Sequence, residues 1–191
     1  YTYKSTCLLV LLNTAIYVYC RYAEVGWDQL TPFILFPGNL IRGHFWTLIS
    51  SGFIHHNFVH LFLNMIALIA FGHVAEDTLG SFKVLGIYFG ALLLSMLLST
   101  GIYTFVLKEN VMIIGASGAI MGLLGAAMLL APFRLTYEML LPLPVMIKGW
   151  LFFLCRYPRV SGRRAERDQP PGAFMRFPIH RNSGILFFTR G

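Results

Sequence analysis

The chain has 191 residues, of which 57% are hydrophobic and 12% are charged, with a mean hydropathy of +0.66. A water-soluble domain carries about twice that share of charge, so composition excludes an ordinary soluble globular protein and points to one membrane domain. The net charge of +7 does not mark a nucleic-acid binder. Eight of the fifteen Lys and Arg residues follow residue 155, and the residues before that point carry seven basic against six acidic side chains. The excess lies in a terminal segment and not on a folded basic face, so solvent or anionic lipid is its expected surrounding, with no nucleic-acid partner. Cys7, Cys20 and Cys155 have no metal-ligand spacing and read as small hydrophobes. No cleavable signal peptide is evident, and the chain opens on Tyr1 rather than Met, which leaves the true start open.

Apolar runs of about 17 to 25 residues mark membrane-crossing helices. Five are expected: Thr6 to Arg21, Gly52 to Val74, Val84 to Leu107, Val111 to Pro132, and a weaker one from Met139 to Cys155 that is broken by Pro142 and Pro144. Between the first two lies a long loop, Tyr22 to Ile49. It mixes Trp27, Phe33, Phe36, Phe45 and Trp46 with Pro32, Pro37 and Gly38, a composition expected to lie in the membrane interface rather than to cross.

The second span is unusually polar. His55 opens it, and His56, His60 and Asn64 follow at i, i+4 and i+8, a spacing that predicts one shared helix face. A His-x-x-x-His pair can chelate zinc, but no third ligand of the usual kind is evident, so no metal or cofactor is expected. Such groups in hydrocarbon are costly, and are expected to hydrogen-bond structurally or to face a water-filled cavity or another helix. In the fourth span Gly115, Gly118, Gly122 and Gly125 recur at offsets of three and four, which predicts a small-residue face for close helix packing. Ser117 lies beside that stripe near the start of the span. Packing explains the glycines. It leaves the serine open as a packing residue or a buried nucleophile.

Together these residues resemble the rhomboid family of intramembrane serine proteases. His55, His60 and Asn64 stand at the spacing of the family's second-span motif, and Gly115-Ala116-Ser117-Gly118 matches its Gly-x-Ser-Gly motif. Phe71-Gly72-His73-Val74-Ala75-Glu76 looks like its Gly-x-x-x-Glu exit. Trp46 resembles the tryptophan of a loop Trp-Arg pair, with Thr47 in the arginine's place. The resemblance covers roughly residues 1 to 150. It implies an all-α, rhomboid-like polytopic bundle and an integral, multi-pass membrane protein. It implies Ser117 as nucleophile, with His60 and Asn64 donating hydrogen bonds to the oxyanion. His55 would hold loops together, and the glycine stripe would bring the fourth span against a sixth that carries the general base. The implied partners are transmembrane protein substrates and the lipid bilayer.

The chain departs from that pattern at its end. A sixth span with His followed three residues later by Gly is expected, but residues 156–191 contain no apolar helix of that kind, and His180 stands there between Ile179 and Arg181. The expected organisation is therefore a membrane domain over 1–155, with five spans, and a basic, disordered Pro/Gly/Arg-rich tail over 156–191 in place of the sixth. In the family's topology this arginine-rich tail falls outside, against the positive-inside bias. Read one base forward, the codons allowed for Asp168 to Phe177 include His, Leu, Cys and Gly in succession. A shifted reading frame, a splice or truncation variant, and the genuine tail of an inactive enzyme all fit. The activity implied is that of a serine endopeptidase cleaving membrane-spanning segments, inactive if its base is missing. The alternative is a non-catalytic relative that binds client helices. A transporter or channel would want charges or internal repeats within the spans.

Overall fold

The computed structural model describes residues 3–136 and 143–148, which belong to one compact unit formed by residues 1–150. Four helices make its body: α1 (Lys4–Tyr22), α5 (Phe58–Leu79), α6 (Ser81–Gly101, continued by a π-helical turn over Ile102–Leu107) and α7 (Ser117–Leu130). Three short helices lie between α1 and α5: α2 (Trp27–Leu30), α3 (Pro37–Ile41) and α4 (Thr47–Ser50). None of these three is long enough to cross a bilayer. Among the described residues, Phe58–Leu79 and Ser81–Leu107 are long and apolar enough to do so.

The elements follow the apolar stretches, with three corrections. The second helix begins at Phe58 and not at Gly52. Asn57 takes an extended backbone, φ −151° and ψ 172°, and its side chain accepts from the His60 N–H at 2.8 Å. It is the N-cap, and a cap residue stands outside helical phase. His56 therefore leaves the shared face. It is exposed and stacks on Trp27, ring centroids 5.7 Å apart. The fourth helix is shortened to 14 residues, Ser117–Leu130. Residues before it run extended, with Ile113 N–H donating to Leu35 O at 2.9 Å. Gly115 turns left-handed at φ +99°. Within the stretch expected as a fifth span, the described Leu143–Pro144 (β2) pairs antiparallel with Leu135–Thr136 (β1), and Pro144 does not suit a helix interior. Most of Met139–Cys155, and the tail from 156 with His180, lie outside the described residues.

The core lies between the four long helices, where Leu9, Leu68, Phe71, Tyr88, Leu92 and Ile120 are at most 2% exposed. Gly72 lets α1 approach α5 closely. A Cβ there would stand 2.8 Å from Thr6 Oγ1. Glu76, one turn further on, closes this end. Its carboxylate accepts from the Ser5 N–H (2.8 Å), the Thr6 N–H (2.9 Å), the Thr6 hydroxyl (2.7 Å) and the Ser81 hydroxyl. Those N–H groups belong to the open first turn of α1, so one carboxylate caps α1 and ties it to the junction of α5 and α6. Asp77 beside it accepts from Tyr3 and pairs with Arg134, which follows α7.

Candidate active site

The opposite end of the bundle brings the first turns of α5 and α7 together. Capping by Asn57 places His60 in the first turn of α5 and Asn64 one turn deeper. Both face Gly115. A Cβ on Gly115 would lie 2.7 Å from His60 Cε1, 3.0 Å from His60 Nε2 and 3.8 Å from Asn64 Nδ2. Residue 115 must therefore be glycine twice over, for its positive φ and for the space. Its N–H donates to Ser51 O at 2.9 Å, which ties the segment before α7 to the turn before α5. Ser117 is the first residue of α7 and is half-buried. The helix has no side-chain cap at Ala116, so its first N–H groups remain open at the positive end of the helix dipole.

Asn64 is 3% exposed, and its Nδ2 has no acceptor among the described residues. A buried donor without a partner is uncommon, and each one calls for an explanation. His55 lies in the turn before α5, where its Nδ1–H donates to Phe53 O at 3.2 Å. Its ring stands edge-on to His60 at 5.1 Å. Burial holds its imidazole below the ordinary histidine value, an effect the Phe53 carbonyl partly opposes. Trp46 donates from Nε1 to Pro32 O at 2.8 Å and stacks on His44 at 4.8 Å. Thr47 turns inward and donates to His44 O at 2.6 Å. A local hydroxyl bond thus occupies the place where the family pattern has an arginine.

Two glycines of the stripe pack on α6. Among the described residues, Gly118 meets Ser95 and Gly122 meets Ala91 of α6, while a sixth span falls outside the described residues. Gly115 is off the helix, and around Gly125 no described atom lies within 4 Å of a Cβ position. Sequence reasoning missed three residues that shape the site: Asn57 as cap, Ser51 as acceptor and Ser95 as packing partner. Asn57 alone had a legible signal, an Asx residue at the N-terminal edge of an apolar run. No cluster of metal-ligating side chains is present among the described residues.

Fold and composition define a helical membrane protein, and its relatives narrow the class. Residues 42–159, more than half of the chain, match the rhomboid domain. The chain belongs to the rhomboid family, a family of integral membrane proteins. It is 33% identical over 139 residues to the rhomboid protease AarA of Providencia stuartii, covering 65% of this chain and 50% of that protein. Over 115 residues it is 32% identical to the putative rhomboid protease YdcA of Bacillus subtilis, 59% of this chain and 54% of the relative. Rhomboid-like protease 1 of Toxoplasma gondii is 34% identical over 91 residues, 47% and 29% of the two chains. The chain thus spans about half the length of the first two of these relatives.

Proposed function

We propose that the chain carries the nucleophile and oxyanion site of a multi-pass intramembrane serine endopeptidase that cleaves membrane-spanning segments of other proteins. The observation that carries this reading is the buried, unpartnered Nδ2 of Asn64 beside Gly115. An open donor there suits an oxygen that arrives with a substrate, because a buried donor without an acceptor costs about 1–3 kcal/mol. Ser117 Oγ attacks the scissile carbonyl carbon, and the carbonyl oxygen takes up the negative charge. The first N–H groups of α7, Asn64 Nδ2 and the His60 ring donate to that oxyanion. At 14 residues α7 is about 21 Å long, short of a hydrocarbon core of about 30 Å. A helix that short would start below the membrane surface if its far end reached the other side, which supports a serine at bilayer depth.

The Ser117 proton needs a base. Each described histidine has another place: His44 on Trp46, His55 on Phe53 O, His56 on Trp27, His60 against Gly115, and His73 stacked on Tyr3. The family resemblance implies a base on a sixth span, so we infer that it comes from sequence after residue 148, with the shifted frame over Asp168 to Phe177 as its source. Sequencing the gene across residues 150–180 tests that source, and an intact frame with the present codons removes it. The second reading is a client-binding relative without catalysis, against which the retained Ser117, His60 and Asn64 argue. A fluorophosphonate probe separates the two. In a chain carrying the frame-corrected tail, the protease labels at Ser117 and the Ser117→Ala variant does not. Absence of labelling there overturns the protease reading.

A further inference from the structure

Two small side chains of α6 interlock with two glycines of α7. A Cβ on Gly118 would fall on the Ser95 hydroxyl and 2.6 Å from Ser95 Cβ. One on Gly122 would fall on Ala91 Cβ and 3.7 Å from Ala91 Cα. Each pair is spaced by four residues, so each occupies one helix face. The order is reversed between the helices, as antiparallel neighbours require. Ser95 donates to Leu92 O within its own helix at 2.9 Å. It therefore offers α7 its smallness, and its hydroxyl proton is already committed.

The consequence lies in the chain between the two helices flanking α7. Gly115 is boxed in by His60 and Asn64 of α5 and tied to Ser51. Gly118, three residues on, is boxed in by Ser95 of α6. Ser117 stands in sequence between these two contacts. Protein interiors transmit strain because they are close-packed, and a shift of about 1 Å in a reacting group can cost 10²-fold in rate.

We propose that Ser95 is a positioning residue for the nucleophile: its side chain, seated on Gly118, sets where the Ser117 hydroxyl stands relative to His60 and Asn64. The proposal rests on the proteolytic reading above. The test uses the full chain with the frame-corrected tail in detergent micelles and measures fluorophosphonate labelling kinetics and thermal unfolding for Gly118→Ala, Ser95→Gly and the double variant. Gly118→Ala is expected to label at least about tenfold more slowly, with the loss in the maximal rate and not in the half-saturating probe concentration. The double variant is expected to return to within about threefold of Ser95→Gly, because removing the Ser95 Cβ makes room for the new one. Gly90→Ala, whose Cβ meets open space, serves as the control and keeps the parent rate. A folded double variant as slow as Gly118→Ala overturns the proposal, as does an undiminished rate in Gly118→Ala. If the parent itself does not label, the proteolytic reading fails separately. The interlock is then judged from unfolding, where additive midpoint changes in the two single variants overturn it.

Discussion

Two buried side chains near opposite ends of α5, Glu76 and Asn64, are treated in opposite ways. Glu76 is 6% exposed, and its carboxylate is saturated by four donors from α1 and the start of α6. Asn64 is 3% exposed on the same helix, yet its Nδ2 has no acceptor among the described residues, and the start of α7 beside it is uncapped. A satisfied buried network fixes how helices meet. An open buried donor beside an uncapped helix start opposes folding and is what an oxyanion site needs. Polar satisfaction is expected to fail at functional sites, but Asp77 Oδ1 beside Glu76 is also buried without a partner, so the open donor of Asn64 marks a site only together with its place against Gly115.

The sharpest way to break this contrast is to remove each side chain and compare stability with rate. Glu76→Ala leaves the Ser5 and Thr6 N–H groups buried without an acceptor. At about 1–3 kcal/mol for each orphaned donor, equilibrium unfolding in detergent is expected to show a loss of about 3 kcal/mol or more. A loss below about 1 kcal/mol would show that α1 does not depend on that carboxylate. Asn64→Ala is expected to do the reverse: labelling of Ser117 falls about 10²–10³-fold, while unfolding changes by less than about 1 kcal/mol. A large stability loss with an unchanged rate would make Asn64 a structural residue and erase the difference between the two ends.

Gly115→Ala sharpens the same contrast at smaller cost. An L side chain in the left-handed region costs about 1–2 kcal/mol, and the new Cβ meets His60 Cε1 at 2.7 Å. Slower labelling by about tenfold or more is expected, since the His60 ring must move off its place. In a His60→Ala background the clash is gone, so Gly115→Ala is expected to cost only its backbone strain. Equal cost in both backgrounds would mean that His60 and Gly115 do not touch in solution.

Much of this was legible in the sequence, for identifiable reasons. The long helices follow from apolar runs that have few alternatives in a membrane. His60 and Asn64 were legible as one polar face because such side chains are costly at bilayer depth, and only the family resemblance joined Gly115 to them. Helix starts were not. The phase of α5 depends on Asn57 adopting a cap conformation, which moved His56 off the face that its spacing predicted. The partner of the glycine stripe was not legible either. A small residue states only that something comes close, and Gly118 does not specify Ser95 over any other neighbour. The end of the domain stayed hidden because Pro142 and Pro144 interrupt an apolar stretch whose hydropathy alone reads as a span.

The smallest expected effect concerns the turn that joins the two polar regimes. His55 lies outside the long helices, and burial lowers its imidazole below the ordinary value against a weaker opposing effect of Phe53 O. An unfolded chain takes up a proton on this residue near pH 6.5, while the folded chain resists it until lower pH. The unfolded state therefore binds more protons as the solution is acidified, and stability falls with pH. The contribution of His55 is complete above about pH 6.5 and is lost below it. Its unpartnered Nε2 faces no acceptor among the described residues that would reward the charge. Thermal unfolding is expected to fall between pH 7.5 and 5.5, with a shallower fall in His55→Gln, which cannot titrate. Identical slopes in parent and variant would mean that His55 is solvated in the folded protein, and that this turn belongs with the open end of α5 rather than with its packed core.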